Sequence, residues 1–524
     1  MTETSKRILI WLQARLIFLL PLLCVLLYFP ALHHDFIMDD QYLVVGNPFI
    51  KNWKYLPQML GQDIWNVSEP TNYWRPVFSL SLALDYSLWG LSPLGFHLTN
   101  ILLHAISTAL LFSLSKKLGS PTCALYAALL FAVHPVQAQA VNHVSARGDV
   151  LAAFFALLSL HAFLSRRMVP FALALMFALL SKETSLVLPL ALLLAGILIQ
   201  KDRKDSKLTL AFIILGLYFI VRLSLGFSFS LPELVFSYRA STSDRLLLVF
   251  KVLALYFHAI FNLFEMPHPI WTVEIPNSLF DPYVITGILI LLLLLAVIWG
   301  TVKEKTVIAF GFLWFAIYYL PISNLKQLGL PMNEHWLYTP MIGLSLAFGT
   351  AMDALFLLRF SGTRLLRLGI TTSVMVFLFF AVLVVREKTK LYQSDESFLT
   401  AAIRANPEIA RLYSLLGNVY IEKRDIPKAQ EVYAKALTLD INDLVANYML
   451  GFLLYQAGQQ DKAKIHLERV ARMEPAIRAE FEPVAHAWEM LGDNQKALFY
   501  YRKALDVNPF SAWVQEKVAG LESR

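Results

Sequence analysis

The sequence predicts an all-α protein, in which a polytopic bundle of membrane-spanning helices precedes a soluble domain of helical repeats. Two observations lead to this prediction. The chain of 524 residues is 57% hydrophobic and only 16% charged, whereas an ordinary soluble protein is about a quarter charged. From residue 391 onward the composition becomes that of a soluble domain, and similar residues recur at a regular interval.

Apolar windows long enough to cross a bilayer, about 20 residues, recur from the N-terminus to Val385. The stretch 246–264 is also apolar, but a crossing there would move a basic loop to the wrong face, so we predict a re-entrant or interfacial helix. The windows together predict about 11 spans, at residues 9–30, 95–115, 121–134, 149–165, 169–181, 184–200, 208–226, 282–301, 306–321, 337–358 and 368–386.

The net charge of +7 is placed in short loops between the apolar windows, which indicates membrane topology and not nucleic-acid binding. An odd number of spans then puts the first loop, residues 31–93, and the C-terminal domain on the external face. Both cysteines, Cys24 and Cys123, fall in apolar windows, so neither a disulfide framework nor a cysteine metal cluster is expected. The cytoplasmic basic clusters are Lys6 and Arg7, Lys116 and Lys117, Arg166 and Arg167, residues 201–207, Lys303 and Lys305, and residues 359–367.

The tail repeats every 34 residues, which is the period of tetratricopeptide (TPR) repeats. Ala429, Ala463 and Ala497 mark this register, and each provides the small residue that lets two helices pack closely. We predict a membrane domain at 1–390, a linker helix at 391–409 and a TPR α-solenoid at 410–524, with repeats starting near 410, 444 and 478. The solenoid either binds a protein or peptide or supports assembly with a partner subunit.

Two adjacent carboxylates, Asp39 and Asp40, directly follow the first span. A solvated turn would explain such a pair, but the same loop also carries many aromatic and charged residues, including Trp53, Trp65 and residues 73–76. That density suits either an interfacial aromatic belt or a sugar site. The histidines near this face lack the spacing of metal ligands on a helix, so we predict no metal.

Several short motifs follow the acidic pair in a characteristic order: Tyr73-Trp74-Arg75-Pro76, residues 96–104, residues 131–136 with Arg147-Gly148-Asp149, Ser181-Lys182-Glu183, and residues 333–340. In this order and spacing, the chain resembles the transmembrane and TPR-repeat-containing O-mannosyltransferases and their bacterial relatives, of the GT-C glycosyltransferase class. With the TPR tail, the resemblance covers nearly the whole chain.

The resemblance implies a GT-C-like bundle that transfers mannose or a similar hexose from a polyprenyl-phosphate donor to a hydroxyl of a protein acceptor. The reaction would take place on the external face, with the TPR domain engaging the acceptor or a partner. Asp39 or Asp40, with Asp39 favoured, would be the general base. No cofactor or divalent metal is implied. Arg147 is the first candidate for binding the donor phosphate, and Arg222 and Lys182 are the next ones. The residues expected to contact the substrates are Tyr73, Trp74, Arg75, His97, His134, Glu334, His335 and Tyr338.

Alternatives remain open at several points. His335 stands where the relatives carry an arginine, which leaves the donor open. Arg147 would pair with Asp149, and Lys182 with Glu183, if their roles were only structural. For the protein as a whole, one alternative is a noncatalytic TPR membrane scaffold or assembly factor, in which the repeats recruit partners and the acidic loop shapes the interface. Another is transfer of the sugar to a lipid or envelope glycan. Compact loops and three repeats suggest a bacterial inner membrane with a periplasmic TPR domain, or the endoplasmic reticulum with a luminal one in a eukaryote.

Overall fold

The computed structural model describes residues 3–65, 71–202, 204–228, 240–262, 269–357, 363–475, 480–507, 509 and 511–523, and its regular secondary structure there is entirely helical. The membrane body contains α1 Glu3–Tyr28, α2 Leu56–Gly61, α3 Pro76–Trp89, α4 Pro93–Leu118, α5 Pro121–Val133, α6 Ala138–Asn142, α7 Arg147–Leu164, α8 Met168–Ser181, α9 Leu188–Ala195, α10 Ser206–Ser224, α11 Thr242–Phe261, α12 Pro282–Thr301, α13 Thr306–Tyr319, α14 Pro340–Leu357 and α15 Thr363–Leu391.

The tail contains α16 Asp395–Ala405, α17 Ala410–Glu422, α18 Ile426–Leu439, α19 Leu444–Gln456, α20 Gln460–Arg472, α21 Phe481–Met490, α22 Asn494–Val507 and α23 Ala512–Glu522. Short 3-10 or π turns join or extend the helices of the membrane body at Phe29–His33, Gln41–Val45, Phe49–Lys51, Trp53–Tyr55, Pro135–Gln137, Val144–Ala146, Glu183–Val187, Gly196–Gln200, Leu320–Ile322 and Glu334–Leu337.

The predicted spans coincide with helices of the membrane body. Among the described residues, seven helices are long and apolar enough to cross a membrane. At the other predicted positions lie α5 with the segment Pro135–Asn142, a pair bent by 50° that forms a broken span or a re-entrant loop, and three shorter apolar helices, Met168–Ser181, Thr306–Ile322 and Pro340–Phe356. Each predicted span therefore corresponds to apolar helical structure, and the chain is a multi-pass membrane protein.

The segment predicted as re-entrant or interfacial contains α11, which runs without a break from Thr242 to Phe261. Its charged residues Asp244, Arg245 and Lys251 exclude it from the candidate spans. Its placement as a re-entrant or interfacial helix stays a prediction. Residues 263 and 264 of the predicted segment lie outside the described residues.

Close contact through small residues holds the helices behind the first loop together. A Cβ atom added to Gly311 of α13 would clash with the backbone of Gly343 in α14, and one added to Gly349 would clash with the backbone of Cys123 in α5. Small residues allow such close approach between helices within a membrane. The three helices therefore form a rigid support for the loop that precedes α14.

In the tail, helix pairs stack as the 34-residue period predicts. Ala429, Ala463 and Ala497 are all fully buried, and α17 and α19 begin at the predicted positions 410 and 444. The predicted third start, residue 478, lies outside the described residues, and α21 begins shortly after it at Phe481. The TPR α-solenoid is therefore confirmed.

The tail contacts the membrane body through the first loop. Ile37 and Met38 pack in one apolar cluster with Tyr392, Phe398 and Leu399. The backbone N–H of Asp35 also donates to the carbonyl of Gln393 over 3.0 Å. The solenoid therefore lies on the same side of the membrane body as the acidic pair, as the predicted topology requires.

Candidate active site

A cavity of about 900 Å³ opens between the first loop, the start of α7, the turn after α8, the loop before α14 and the N-terminal part of α16. It contains six of the residues predicted from the sequence. They are Asp39, Tyr73, Arg75, Lys182, Arg222 and His335.

The two carboxylates of the acidic pair have different surroundings. Asp39 lines the cavity, whereas Asp40 is fully buried outside it. The carboxylate of Asp40 accepts hydrogen bonds from the backbone N–H groups of Ser145 at 2.7 Å and Ile37 at 3.3 Å, and lies 3.7 Å from Nε2 of His143. Asp40 therefore fixes the turn, and Asp39 is the carboxylate with access to a bound molecule.

The side chain of Asp39 is exposed in the cavity, with protein atoms packed around the loop that carries it. Desolvation by these protein atoms raises the pKa of its carboxyl group, while nearby His143 opposes the shift and the charge of Asp40 adds to it. A carboxylate with a raised pKa is a stronger base than an exposed aspartate. Asp39 is thus suited to accept a proton.

Three cations lie on the cavity wall and share two carboxylates. Nζ of Lys182 lies 2.5 Å from Oδ2 of Asp149, Nε of Arg75 lies 2.8 Å from Oε2 of Glu183, and Nη1 of Arg222 lies 3.7 Å from Oε1 of Glu183. Three positive and two negative charges leave one formal positive charge in this cluster. Such a cluster favours an anionic ligand.

Arg147, the first predicted phosphate ligand, lies away from the cavity. Its guanidinium is fully buried, 2.6 Å from Oδ2 of Asp85, and donates to Oδ1 of Asn100 and to the carbonyl of Phe96, each at 2.8 Å. Arg147 therefore joins α3, α4 and α7. The alternative pairs are wrong as well, because Asp149 pairs with Lys182, and Glu183 pairs with the two arginines.

Trp74, His97 and His134 lie behind the cavity wall instead of on it. The indole N–H of Trp74 donates to the carbonyl of Leu60 at 2.7 Å. Nε2 of His97 lies 3.4 Å from the carbonyl oxygen of Asp35, and Nδ1 of His134 accepts from the N–H of Val136 at 3.3 Å. All three are buried, and they shape the loops that carry the cavity residues.

Glu334 and Tyr338, both within the predicted motif at residues 333–340, are also buried supports. The carboxylate of Glu334 pairs with Nζ of Lys388 on α15 at 2.6 Å, and the hydroxyl of Tyr338 lies 2.7 Å from Nδ1 of His104. Between them His335 faces the cavity, with its backbone N–H donating to Oε1 of Gln139 at 3.0 Å. Burial and neighbouring cations lower the pKa of His335 well below its usual value, so its imidazole is neutral.

The cavity also includes residues that the sequence did not single out, among them Gln139, Trp271, Lys326 and Phe398. Trp271 donates its indole N–H to Oε1 of Glu334 at 3.2 Å. Phe398 comes from the linker helix, beyond the predicted end of the membrane domain. An apolar-to-soluble change in composition marks the end of the last span, but it gives no signal that the next helix returns to the cavity.

Within the described ranges, no group of three or more His, Cys, Asp or Glu side chains is arranged to hold a metal ion. The cavity polar groups are instead paired cations and carboxylates. The absence of a metal requirement stays a prediction.

The tail matches the family described as "Tetratricopeptide repeat" at residues 410–442, 444–477 and 489–511. The chain is 32% identical over 181 residues to "Protein O-mannosyl-transferase F38B6.6" of Caenorhabditis elegans, covering 32% of this chain and 26% of that one. It is 34% identical over 187 residues to Protein O-mannosyl-transferase Tmtc1 of Drosophila melanogaster, covering 33% of this chain and 21% of that one. It is 36% identical over 139 residues to human Protein O-mannosyl-transferase TMTC2, covering 26% of this chain and 17% of that one.

These matches span about a quarter or less of the length of the curated relatives. Among solved structures, ArnT from Cupriavidus metallidurans bound to undecaprenyl phosphate aligns with a TM-score of 0.42 and 13% identity, covering 75% of this chain and 80% of that chain. The resemblance inferred from the order of the motifs is confirmed. The chain is a multi-pass membrane protein with C-terminal tetratricopeptide repeats, related over about a third of its length to the protein O-mannosyl-transferases.

Proposed function

We propose that this protein is a GT-C type membrane glycosyltransferase. It transfers a sugar, mannose or a similar hexose, from a polyprenyl-phosphate donor to a hydroxyl group of a protein acceptor. One observation carries the proposal: a single cavity contains both an accessible carboxylate, Asp39, and a cluster of cations with a net positive charge. The O-mannosyl-transferase names of the sequence relatives support the same chemistry.

In the proposed reaction, Asp39 takes the proton of the acceptor hydroxyl as its oxygen attacks the anomeric carbon. The bond from that carbon to the phosphate oxygen breaks, and the electron pair leaves with the lipid phosphate. General base catalysis of this kind contributes about 10²- to 10⁴-fold in rate. Because attack and departure occur on opposite faces of the sugar, the product has the inverted configuration.

The cation cluster stabilises the departing phosphate. Arg75, Lys182 and Arg222 are already held by Asp149 and Glu183, so they need little rearrangement when charge develops on the leaving group. Neutral His335 contributes a hydrogen bond to the donor instead of a charge. The lipid chain fits the apolar part of the lining, which includes Leu186, Leu320, Ile322, Leu325, Leu328 and Leu330.

The acceptor is proposed to reach the cavity from the solenoid side. Phe398 of α16 lines the cavity, so the tail and the reacting groups share one face of the protein. We propose that this face is external: periplasmic in a bacterial inner membrane, or luminal in the endoplasmic reticulum. The TPR domain then holds the acceptor or a partner close to Asp39.

The proposal is tested with purified full-length protein in lipid, given radiolabelled polyprenyl-phosphate mannose and candidate acceptor proteins. Asp39→Asn is expected to reduce label transfer by about 10²- to 10⁴-fold with an unchanged melting temperature. Asp40→Asn serves as the matched control, because it replaces one of the two carboxylate oxygens that accept backbone hydrogen bonds by an NH2 group, and it is expected to lower the melting temperature. Equal transfer by wild type and Asp39→Asn would exclude Asp39 as the general base, and equal transfer by the double variant with Asp40→Asn would remove the acidic pair from the mechanism. No transfer by wild type would favour the noncatalytic scaffold. Label recovered in lipid or envelope glycan would instead identify a non-protein acceptor.

A further inference from the structure

The helix between the last span and the repeats, α16, is more than a linker. Near its N-terminus Phe398 forms part of the cavity wall, and its first residue, Asp395, contacts the loop that carries Asp39. Asp395 Oδ1 accepts a hydrogen bond from the backbone N–H of Met38 over 2.7 Å. Met38 is the residue immediately before Asp39.

The backbone at Met38 requires such support. Its φ angle is +48°, in the left-handed region that is unfavourable for a residue with a side chain. Such a conformation persists only where the surrounding structure fixes it. Asp395 supplies one restraint, and the hydrogen bond from the N–H of Asp35 to the carbonyl of Gln393, 3.0 Å long, supplies another.

Two carboxylates hold this turn from opposite sides. Asp40 binds the N–H of Ser145 in the membrane body at 2.7 Å, and Asp395 binds the N–H of Met38 from the soluble tail. Both carboxylates accept hydrogen bonds from backbone N–H groups. Asp39, which lies between the two anchored residues, keeps its side chain in the cavity.

The other end of α16 braces the facing wall. Asn406, the residue after the helix, donates to the carbonyl of Ile270 at 3.3 Å and accepts from the hydroxyl of Thr272 at 2.6 Å. Trp271, between these two residues, lines the cavity. The helix thus contacts both the segment that carries the carboxylate and the segment that faces it.

We propose that Asp395 is a positioning residue for Asp39, so that the first helix of the soluble tail is part of the active site. This inference rests on the proposed function only in naming the reaction that the positioning serves. Without the Asp395 acceptor, the Met38 turn relaxes, and the carboxylate of Asp39 moves from the orientation in which it meets the acceptor hydroxyl. A displacement of about 1 Å can cost on the order of 10²-fold in rate.

The test compares Asp395→Ala with Asp395→Asn in the full-length protein. Asparagine retains an oxygen that accepts the same hydrogen bond. The matched control is Glu396→Ala, because the neighbouring carboxylate faces Lys423 and Tyr420 of the first repeat and not Met38. Transfer from radiolabelled polyprenyl-phosphate mannose gives kcat and KM, and modification of Asp39 by a water-soluble carbodiimide, quantified by mass spectrometry, reports its environment without any turnover.

We expect Asp395→Ala to lower kcat by about 10- to 100-fold with the donor KM within about twofold, and to change the rate at which Asp39 is modified. Asp395→Asn and Glu396→Ala should both stay close to wild type. Equal modification of Asp39 in wild type and Asp395→Ala, together with equal kcat, would overturn the positioning role. A parallel loss in Asp395→Ala and Glu396→Ala would also overturn it, because general damage to the helix would then explain the effect.

The two proposals fail in different ways. If wild-type protein transfers no sugar but the modification of Asp39 still depends on Asp395, the positioning stands and the glycosyltransferase proposal falls. If wild-type protein transfers sugar and Asp395→Ala leaves both kcat and modification unchanged, only the positioning falls.

Discussion

The charged pairs of the cavity and those of the solenoid use the same side-chain chemistry in opposite surroundings. Lys182 and Asp149 are 8% and 3% exposed, whereas Lys464 and Glu468 on α20 are 65% and 39% exposed. An exposed pair adds about 0–1 kcal/mol of stability, whereas ions buried in the interior are costly unless each keeps its partner. Keeping the charged pairs in the cavity therefore costs folding free energy, whereas the exposed pairs of the solenoid do not carry this cost. The difference indicates that the cavity charges have a function and that the solenoid charges are solvated surface groups.

What the solenoid depends on is packing. Its buried positions include alanines and aromatic residues, such as Ala463 and Tyr433, and at Gly417 the missing side chain leaves room for the ring of Tyr433. The membrane body depends on packing too, but the residues around the cavity add a second requirement, because their charges have to be matched. Substitutions in the two regions should therefore fail for different reasons and by different amounts.

The largest effect is expected from breaking a cavity pair. Lys182→Met leaves Asp149 buried without its cation, and removing one partner of a buried pair costs about 3–5 kcal/mol. Thermal unfolding of the purified protein in lipid measures this loss. The double substitution with Asp149→Asn should recover part of it, since no unpaired charge remains. Equal melting temperatures for wild type and Lys182→Met would show that the pair is solvated like those of the solenoid.

A packing change in the solenoid should cost less. A Cβ atom at Gly417 would clash with the ring of Tyr433, and overpacking of this kind costs about 1–3 kcal/mol. Gly417→Ala should therefore lower the unfolding temperature of the tail while the membrane body stays folded. Gly520→Ala is the control, because no atom lies within 4 Å of the added Cβ and alanine favours the helix by up to about 1 kcal/mol. Equal stability of the two variants would contradict close packing at Gly417.

The pH dependence of transfer tests the effect of the surrounding protein on Asp39. Its pKa is raised above the ordinary 3.8 by desolvation, with His143 opposing and Asp40 adding to the shift. A general base acts when ionised, so kcat/KM should fall about tenfold per pH unit as the pH drops below this raised pKa. The acid limb should therefore lie above pH 3.8 and be absent from the residual activity of Asp39→Asn. An acid limb that persists in this variant would assign it to another group.

The smallest effect is expected at an exposed pair. Lys464→Ala removes a contact of 3.9 Å between Nζ of Lys464 and Oε1 of Glu468, and such helix-surface pairs contribute about 0.3–0.5 kcal/mol. The unfolding temperature of the tail should change little, and added salt should make the difference smaller still. A loss of stability as large as that of Lys182→Met would mean that the exposed fraction of a charged pair does not determine how much the pair contributes in the two regions.

The sequence was sufficient for the features that repeat or that occupy long apolar windows. The positions of the apolar helices and the register of Ala429, Ala463 and Ala497 were predicted because periodicity and length are local properties. The acidic pair was also found from local context, directly after the first span. The preference for Asp39 over Asp40 agrees with the geometry, since only Asp39 reaches the cavity.

The partners of buried charges could not be predicted in this way. Arg147 was expected near the donor phosphate, yet its guanidinium faces Asp85 on α3, because the direction of a side chain at a helix start depends on the helices packed around it. Trp74 and His134 belong to the motifs on which the family resemblance rests, but they lie behind the wall. The contribution of Phe398 to the cavity depends on the path of the chain after the last span, and composition carries no information about that path.

The hydrogen bond between Met38 and Asp395 joins residues 357 positions apart. Synthesis proceeds from the N-terminus, so the turn before Asp39 is made at the very beginning, and its stabilising acceptor, Asp395, arrives only when about three quarters of the chain has been translated. A ribosome-bound intermediate that ends before Asp395 therefore still lacks the acceptor for the N–H of Met38. The conformation of the turn before Asp39 is in this way completed only after the chain beyond α15 has been made.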